Sequence, residues 1–152
     1  MSFYDHKVVK DILAYFRLIV NHNDEEAFKR AVKYPKKGIG DTSLEKIRKI
    51  SNEQNVSLWE VISDPLKYNL EISAATIKRI SHFREEIEKM SEIYQQSDAY
   101  TMAIDVVKKF GILEDLSQDT SEEGKENKKL ADEVLVGIHE FVESEEIGRA
   151  HV

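Results

Sequence analysis

Apolar residues recur at three- and four-residue steps along most of the chain, with charged residues between them, which is the pattern of amphipathic helices. A first helix is predicted over about residues 5–21, where Val8, Val9, Ile12, Leu13, Tyr15, Phe16 and Ile19 form a wide apolar surface and Lys7, Lys10, Asp11 and Arg17 lie off it. A helix this apolar is buried on more than one side. Asn21-His22-Asn23-Asp24 reads as a turn, with Asn23 or Asp24 capping a second helix that runs to about residue 33 and buries Ala27, Phe28, Ala31 and Val32. A third helix is predicted over about 42–55, with Leu44, Ile47 and Ile50 inward. Ser57 and Glu60 have capping-box spacing before a short helix that Pro65 closes. Trp59, in that short helix, reads as a core anchor rather than a base-stacking platform.

The longest helix is expected to start at Ser73 and run to about residue 96, on Ile77, Ile80, Phe83, Ile87, Met90 and Ile93. Thr101 is expected to cap a helix to about residue 110, with Gly111 as its C′ residue. A short apolar piece (112–116) and a long polar loop (117–126) follow. A last helix is predicted from about 122 or 125 to 144, on Leu130, Val134, Leu135, Ile138, Phe141 and Val142. Only 2 prolines and 6 glycines among 152 residues favour long helices over many turns. The expected fold is all-α, a single domain of about six to eight helices. With no cysteine, neither a disulfide framework nor a thiolate metal site is available. No segment approaches a membrane span, and a cytoplasmic monomer is the expectation.

The stretch Lys33-Tyr34-Pro35-Lys36-Lys37-Gly38-Ile39-Gly40-Asp41-Thr42 joins the second and third helices. Pro35 stops the incoming helix, because the residue before a proline is driven out of the α region. Gly38 and Gly40 can both take positive φ, and Asp41 or Thr42 can cap the outgoing helix, Thr42 with Glu45 at capping-box spacing. The product is a tight helix–hairpin–helix whose glycine tip can bring N–H groups to a phosphate. A solvated αα-turn is the plainer reading. Charge bears on the choice. The chain carries −7 overall, yet residues 29–49 hold eight Lys or Arg against Asp41 and Glu45. Residues 114–146 hold twelve acids against three lysines. Such a polarised molecule can meet phosphate on one side.

The opening Phe3-Tyr4-Asp5-His6-Lys7-Val8-Val9-Lys10-Asp11-Ile12-Leu13-Ala14-Tyr15-Phe16-Arg17 resembles the start of the accessory 2B subdomain of UvrD/PcrA/Rep-type superfamily-one DNA helicases. The Pro-Lys-Lys-Gly-Ile-Gly hairpin continues the resemblance, and the later helices match by pattern. Departures are Val8 for an acid, Lys37 for an arginine, Asn127 for an arginine and Leu130 for an asparagine. The resemblance implies a grip on double-stranded DNA, independent of sequence, by Lys36, Lys37, Gly38, Ile39, Gly40 and Thr42, and Lys33, Ser43 and Lys46 beside them complete the candidate DNA-binding set. It implies the motor domains of a parent helicase as partner, with ATP and Mg²⁺ bound there, and Met1 internal to that longer chain. It covers residues 1–144; the ending Glu146-Ile147-Gly148-Arg149-Ala150-His151-Val152 back-translates to a sequencing-adapter read, so 145–152 is expected to be a non-native tail.

No Walker A loop, G-x-x-x-x-G-K-[ST], occurs, so the chain alone is expected to be catalytically silent, with no catalytic residue, metal or cofactor of its own. Two other classes stay open. One is a helical protein-interaction or autoinhibitory module without DNA binding. The other is a glycosylase of the helix-hairpin-helix class, for which Asp64 and Lys67 are candidates by position only.

Overall fold

The computed structural model describes residues 2–150, with side chains described through residue 138 and at residue 140. After a 3-10 turn over Phe3–Asp5, eight α-helices follow: α1 Lys7–Val20, α2 Glu25–Lys33, α3 Asp41–Gln54, α4 Leu58–Ser63, α5 Ala74–Gln96, α6 Ala99–Lys109, α7 Ile112–Gln118 and α8 Glu122–Ala150. Among the described residues there is no strand, and no helix is long and apolar enough to cross a membrane. The all-α expectation holds.

Helix α1 is the axis of the core. Ten of its fourteen residues are buried, and α2, α5, α6 and α8 all pack against it. Tyr15, Phe16, Phe28 and Phe83 are among the largest fully buried side chains, and Tyr15, Phe83 and Phe110 meet edge-on or tilted. Asp11 departs from the expectation that it lies off the buried surface: it is 2% exposed. Lys7 Nζ at 2.5 Å and Arg30 Nη1 at 2.8 Å hold its two oxygens, so the buried carboxylate is paired and ties α1 to α2. Trp59 is a core residue, stacked on the His22 ring at 4.6 Å and edge-on to Phe28.

Several local expectations are corrected. Asp24, Ser57 and Ser73 cap their helices as read, but α6 is capped by Asp98, whose Oδ1 accepts from the N–H of Thr101. Glu60 does not close a capping box, because its carboxylate accepts from the Tyr68 hydroxyl at 3.0 Å. The longest helix is α8, not α5. It continues to Ala150 rather than stopping near residue 144; the expected apolar positions Phe141 and Val142 lie outside the described side chains.

The polar loop predicted over 117–126 is also absent: α7 runs to Gln118 and α8 begins at Glu122. Asp119 Oδ1 accepts from the Ser121 N–H and hydroxyl, and Ser121 Oγ accepts from the Gly124 N–H. This side-chain turn replaces a loop. It needs a glycine at 124, since a Cβ there would stand 2.1 Å from the Asp119 carbonyl oxygen. At Gly137, farther along α8, a Cβ meets open space.

The two glycines therefore give opposite results on substitution. Gly124→Ala should lower the unfolding free energy by about 1–3 kcal/mol through overpacking, and Gly137→Ala should raise it by up to about 1 kcal/mol through helix propensity. Urea melts of the two variants beside the parent chain check both signs.

Candidate nucleic-acid interface

The connection between α2 and α3 begins with a deficit. Pro35 has no N–H, so the Ala31 carbonyl loses the donor that the fourth residue on would normally supply. Tyr34 ends α2 with its N–H on the Arg30 carbonyl, and the Tyr34-Pro35 peptide is cis. Two side chains repair the deficit. The Tyr15 hydroxyl, from α1, donates to the Ala31 oxygen at 3.0 Å and lies against the Tyr34 oxygen. Lys37 Nζ lies within hydrogen-bond distance of the oxygens of Ala31 (2.8 Å), Tyr34 (3.1 Å) and Pro35 (2.8 Å) and of the Tyr15 hydroxyl (2.5 Å), so its N–H groups are shared among four acceptors.

Lys37 thus departs from its expected place at a phosphate. Its Nζ folds back under the loop and caps the C-terminal end of α2, supplying donors to carbonyls that the helix leaves open. Its Nζ also stands 5.2 Å from the centroid of the Tyr15 ring and 5.4 Å from that of Phe83. Burial pushes its pKa down to about 7, and burial likewise pushes the Tyr15 hydroxyl up.

The rest of the loop turns outward. Gly38 has φ +73, which its side-chain-free backbone allows, while Ile39 drops into the core at 9% exposure. Gly40 is in the extended region (φ −81, ψ 166), so only one of the two glycines uses positive φ. Gly40 is also the N-cap of α3. The helix starts at Asp41, with Thr42 inside its first turn, so neither side chain is the cap that the spacing suggested. A glycine cap offers no side-chain oxygen, and the first-turn N–H groups of Asp41, Thr42 and Ser43 stay open at the helix end. Helices α2 and α3 each have their own partner, α1 and α4 respectively.

The cations sort into three groups. Lys29 and Lys36 are exposed and make no hydrogen bond or ion pair with another described residue, and exposed Lys49 only approaches Glu53 at 4.0 Å. Lys33 pairs with Asp41 at 3.1 Å, both side chains exposed, and Lys46 Nζ donates to the Glu71 carbonyl at 2.9 Å while remaining exposed. Arg30 and Lys37 point inward, and Arg48 is held by Glu45. The basic excess counted along residues 29–49 is therefore larger than the charge the surface presents there.

One residue of the site was missed. Arg79, on α5, packs over the loop, with Nη1 3.3 Å from the Gly38 carbonyl oxygen and its side chain 3.1–3.3 Å from where a Gly38 Cβ would stand. It lies 41 residues away in sequence, and only its neighbour Lys78 marks the region as basic. The glycosylase candidates are engaged in a turn: Asp64 accepts from the Lys67 N–H, and Lys67 Nζ lies 3.9 Å from Glu60.

The inward Lys37 makes stability depend on pH. The folded chain releases the Lys37 proton near 7, whereas the unfolded chain keeps it to the ordinary lysine range, so the unfolded state holds more protons between these values and stability rises with pH. Chemical denaturation from pH 7 to 9 should show this rise in the parent chain and not in Lys37→Met. At pH 9 Lys37→Met should be less stable by about 1–3 kcal/mol, because buried carbonyls lose their donor. Lys36→Met should stay within about 0.5 kcal/mol of the parent at every pH.

Comparison with known proteins gives this geometry a setting. The chain is 28% identical over 142 residues to DNA helicase II of Haemophilus influenzae, covering 93% of this chain and 19% of that protein. It is 27% identical over 146 residues to DNA helicase II of Escherichia coli, covering 96% and 20%. It is 27% identical over 134 residues to the ATP-dependent DNA helicase PcrA of Staphylococcus aureus, covering 88% and 18%. The chain thus spans about a fifth of the length of these relatives. A family model for the UvrD-like helicase C-terminal domain matches residues 1–147, and the chain belongs to that family.

Proposed function

We propose that this chain is the accessory 2B subdomain of a longer, ATP-dependent UvrD-like DNA helicase, and that it holds the duplex by its sugar-phosphate backbone and so modulates unwinding. The domain would span residues 1–144, with the motor domains of the parent as its partner and ATP hydrolysis confined to them. The observation that carries the DNA contact is the open end of α3: uncapped first-turn N–H groups behind Gly40, with Lys36 exposed and unpaired beside them. Helix N-termini and lysines of this kind bind phosphate without reading bases. Thr42 and Ser43 can add hydroxyl donors, and Lys33 and Lys46 can leave weak surface contacts for a phosphate. Lys37 serves from behind, by fixing the loop on α2.

The chain alone should bind blunt duplexes of any sequence weakly, near roughly 10⁻⁴ M, with a log–log salt slope of about 2–4. Lys36→Ala should weaken all duplexes alike and lower that slope by about 1. Gly38→Val should also lose binding, because the residue sits at positive φ against Arg79, at a cost of about 1–3 kcal/mol in the turn. Lys128 and Lys129, exposed on α8, serve as the control pair. Circular dichroism reports whether each variant folds. Equal loss in the Lys128→Ala/Lys129→Ala double variant would replace the loop reading with that of a protein-interaction module.

A further inference from the structure

Beside the loop, α5, the end of α6 and Lys37 line a half-open cavity of about 540 Å³, within the size range of small-ligand sites. Its floor is aromatic. Phe110, half-buried just past α6, stands 6.2 Å from Phe83 and 4.7 Å from Tyr15 between ring centroids. Its α5 wall carries Lys78, Arg79 and His82. Arg79 is shared with the loop through the Gly38 carbonyl, so one side chain touches both the cavity and the loop.

Inside the cavity Glu86 is buried, held by Lys109 Nζ at 2.8 Å and Lys89 Nζ at 3.4 Å. A carboxylate has about four acceptor sites, so these two bonds leave it further capacity. That feature separates two anionic ligands. The side chain of an acidic peptide would be repelled by Glu86. The exocyclic amine of a cytosine or adenine would donate to it. An aromatic floor with a cationic wall is also the arrangement that receives unpaired nucleotides, the base stacking and the phosphate meeting the cations.

We propose that this cavity receives one unpaired nucleotide of a single-stranded DNA overhang, its base against Phe110 and its phosphate against Lys78 and Arg79. The inference rests on the loop reading in one respect: the loop holds the duplex from which the strand leaves.

The test is fluorescence anisotropy of the full chain with a labelled blunt duplex and with the same duplex carrying a four-cytosine overhang. The overhang should tighten binding about tenfold. Phe110→Leu, which keeps apolar volume but removes the aromatic face, should abolish that gain and leave blunt-duplex affinity within about twofold. Lys78→Gln should reduce the gain several-fold and carries the test if circular dichroism shows that Phe110→Leu does not fold. Lys36→Ala should weaken both probes and preserve their ratio. No overhang gain in the parent chain, or a gain that survives both cavity variants, would overturn the proposal. So would a tetraglutamate peptide that displaces the overhang probe as well as a free cytosine tetranucleotide does, assigning the cavity to an acidic peptide. A Lys36→Ala variant with unchanged blunt-duplex binding would count against the loop reading instead, while the overhang ratio still reports on the cavity.

Discussion

Three carbonyl oxygens at the end of α2, those of Ala31, Tyr34 and Pro35, converge on one ammonium and one phenol. A proline that stops a helix leaves a carbonyl without its donor, and at buried Ala31 that carbonyl must find another. Tyr15 reaches it from the buried α1 and Lys37 reaches it from the loop itself. The loop's path is thereby fastened to α1. Once it is fastened, Ile39 can enter the core, Gly38 can turn with positive φ, and Gly40 can open α3 without a side-chain cap. The outward-facing chemistry depends on this inward one.

The same arrangement changes the meaning of the basic stretch. Arg30 secures Asp11, Lys37 secures the helix end, and Glu45 occupies Arg48. What remains for an anion is Lys29 and Lys36, the weakly engaged Lys33, Lys46 and Lys49, and the N–H groups of the first turn of α3. That is a small, backbone-reading set on a molecule of net charge −7, suited to weak contact that a larger assembly would reinforce.

Much of the fold was legible because the apolar spacing is regular. The burial of Ile12, Phe28, Ile47, Phe83 and Val134 follows from periodicity alone. Short polar stretches were harder, because serine, threonine and aspartate at neighbouring positions compete for the same N–H. Asp98 rather than Thr101 took the cap of α6, and Asp119 with Ser121 condensed a presumed loop into a turn. In the candidate site, the loop itself was visible as Pro-Lys-Lys-Gly-Ile-Gly, but the direction of Lys37 was not. Two adjacent lysines look alike in sequence, and only the orphaned Ala31 carbonyl, with Tyr15 nearby, decides which one turns inward. Arg79 was hidden for another reason: its place beside Gly38 is set by how α5 packs, not by any local pattern.

The open end of α3, with the loop before it, is the surface we propose meets duplex phosphate. The most direct measurement is a titration of the isotopically labelled chain with a short blunt duplex, followed by amide chemical shifts. The largest shifts should fall on the N–H groups of Gly38, Gly40, Thr42 and Ser43 and fade as salt is raised. Shifts confined to α8, or shifts at the loop that salt does not diminish, would contradict that proposal.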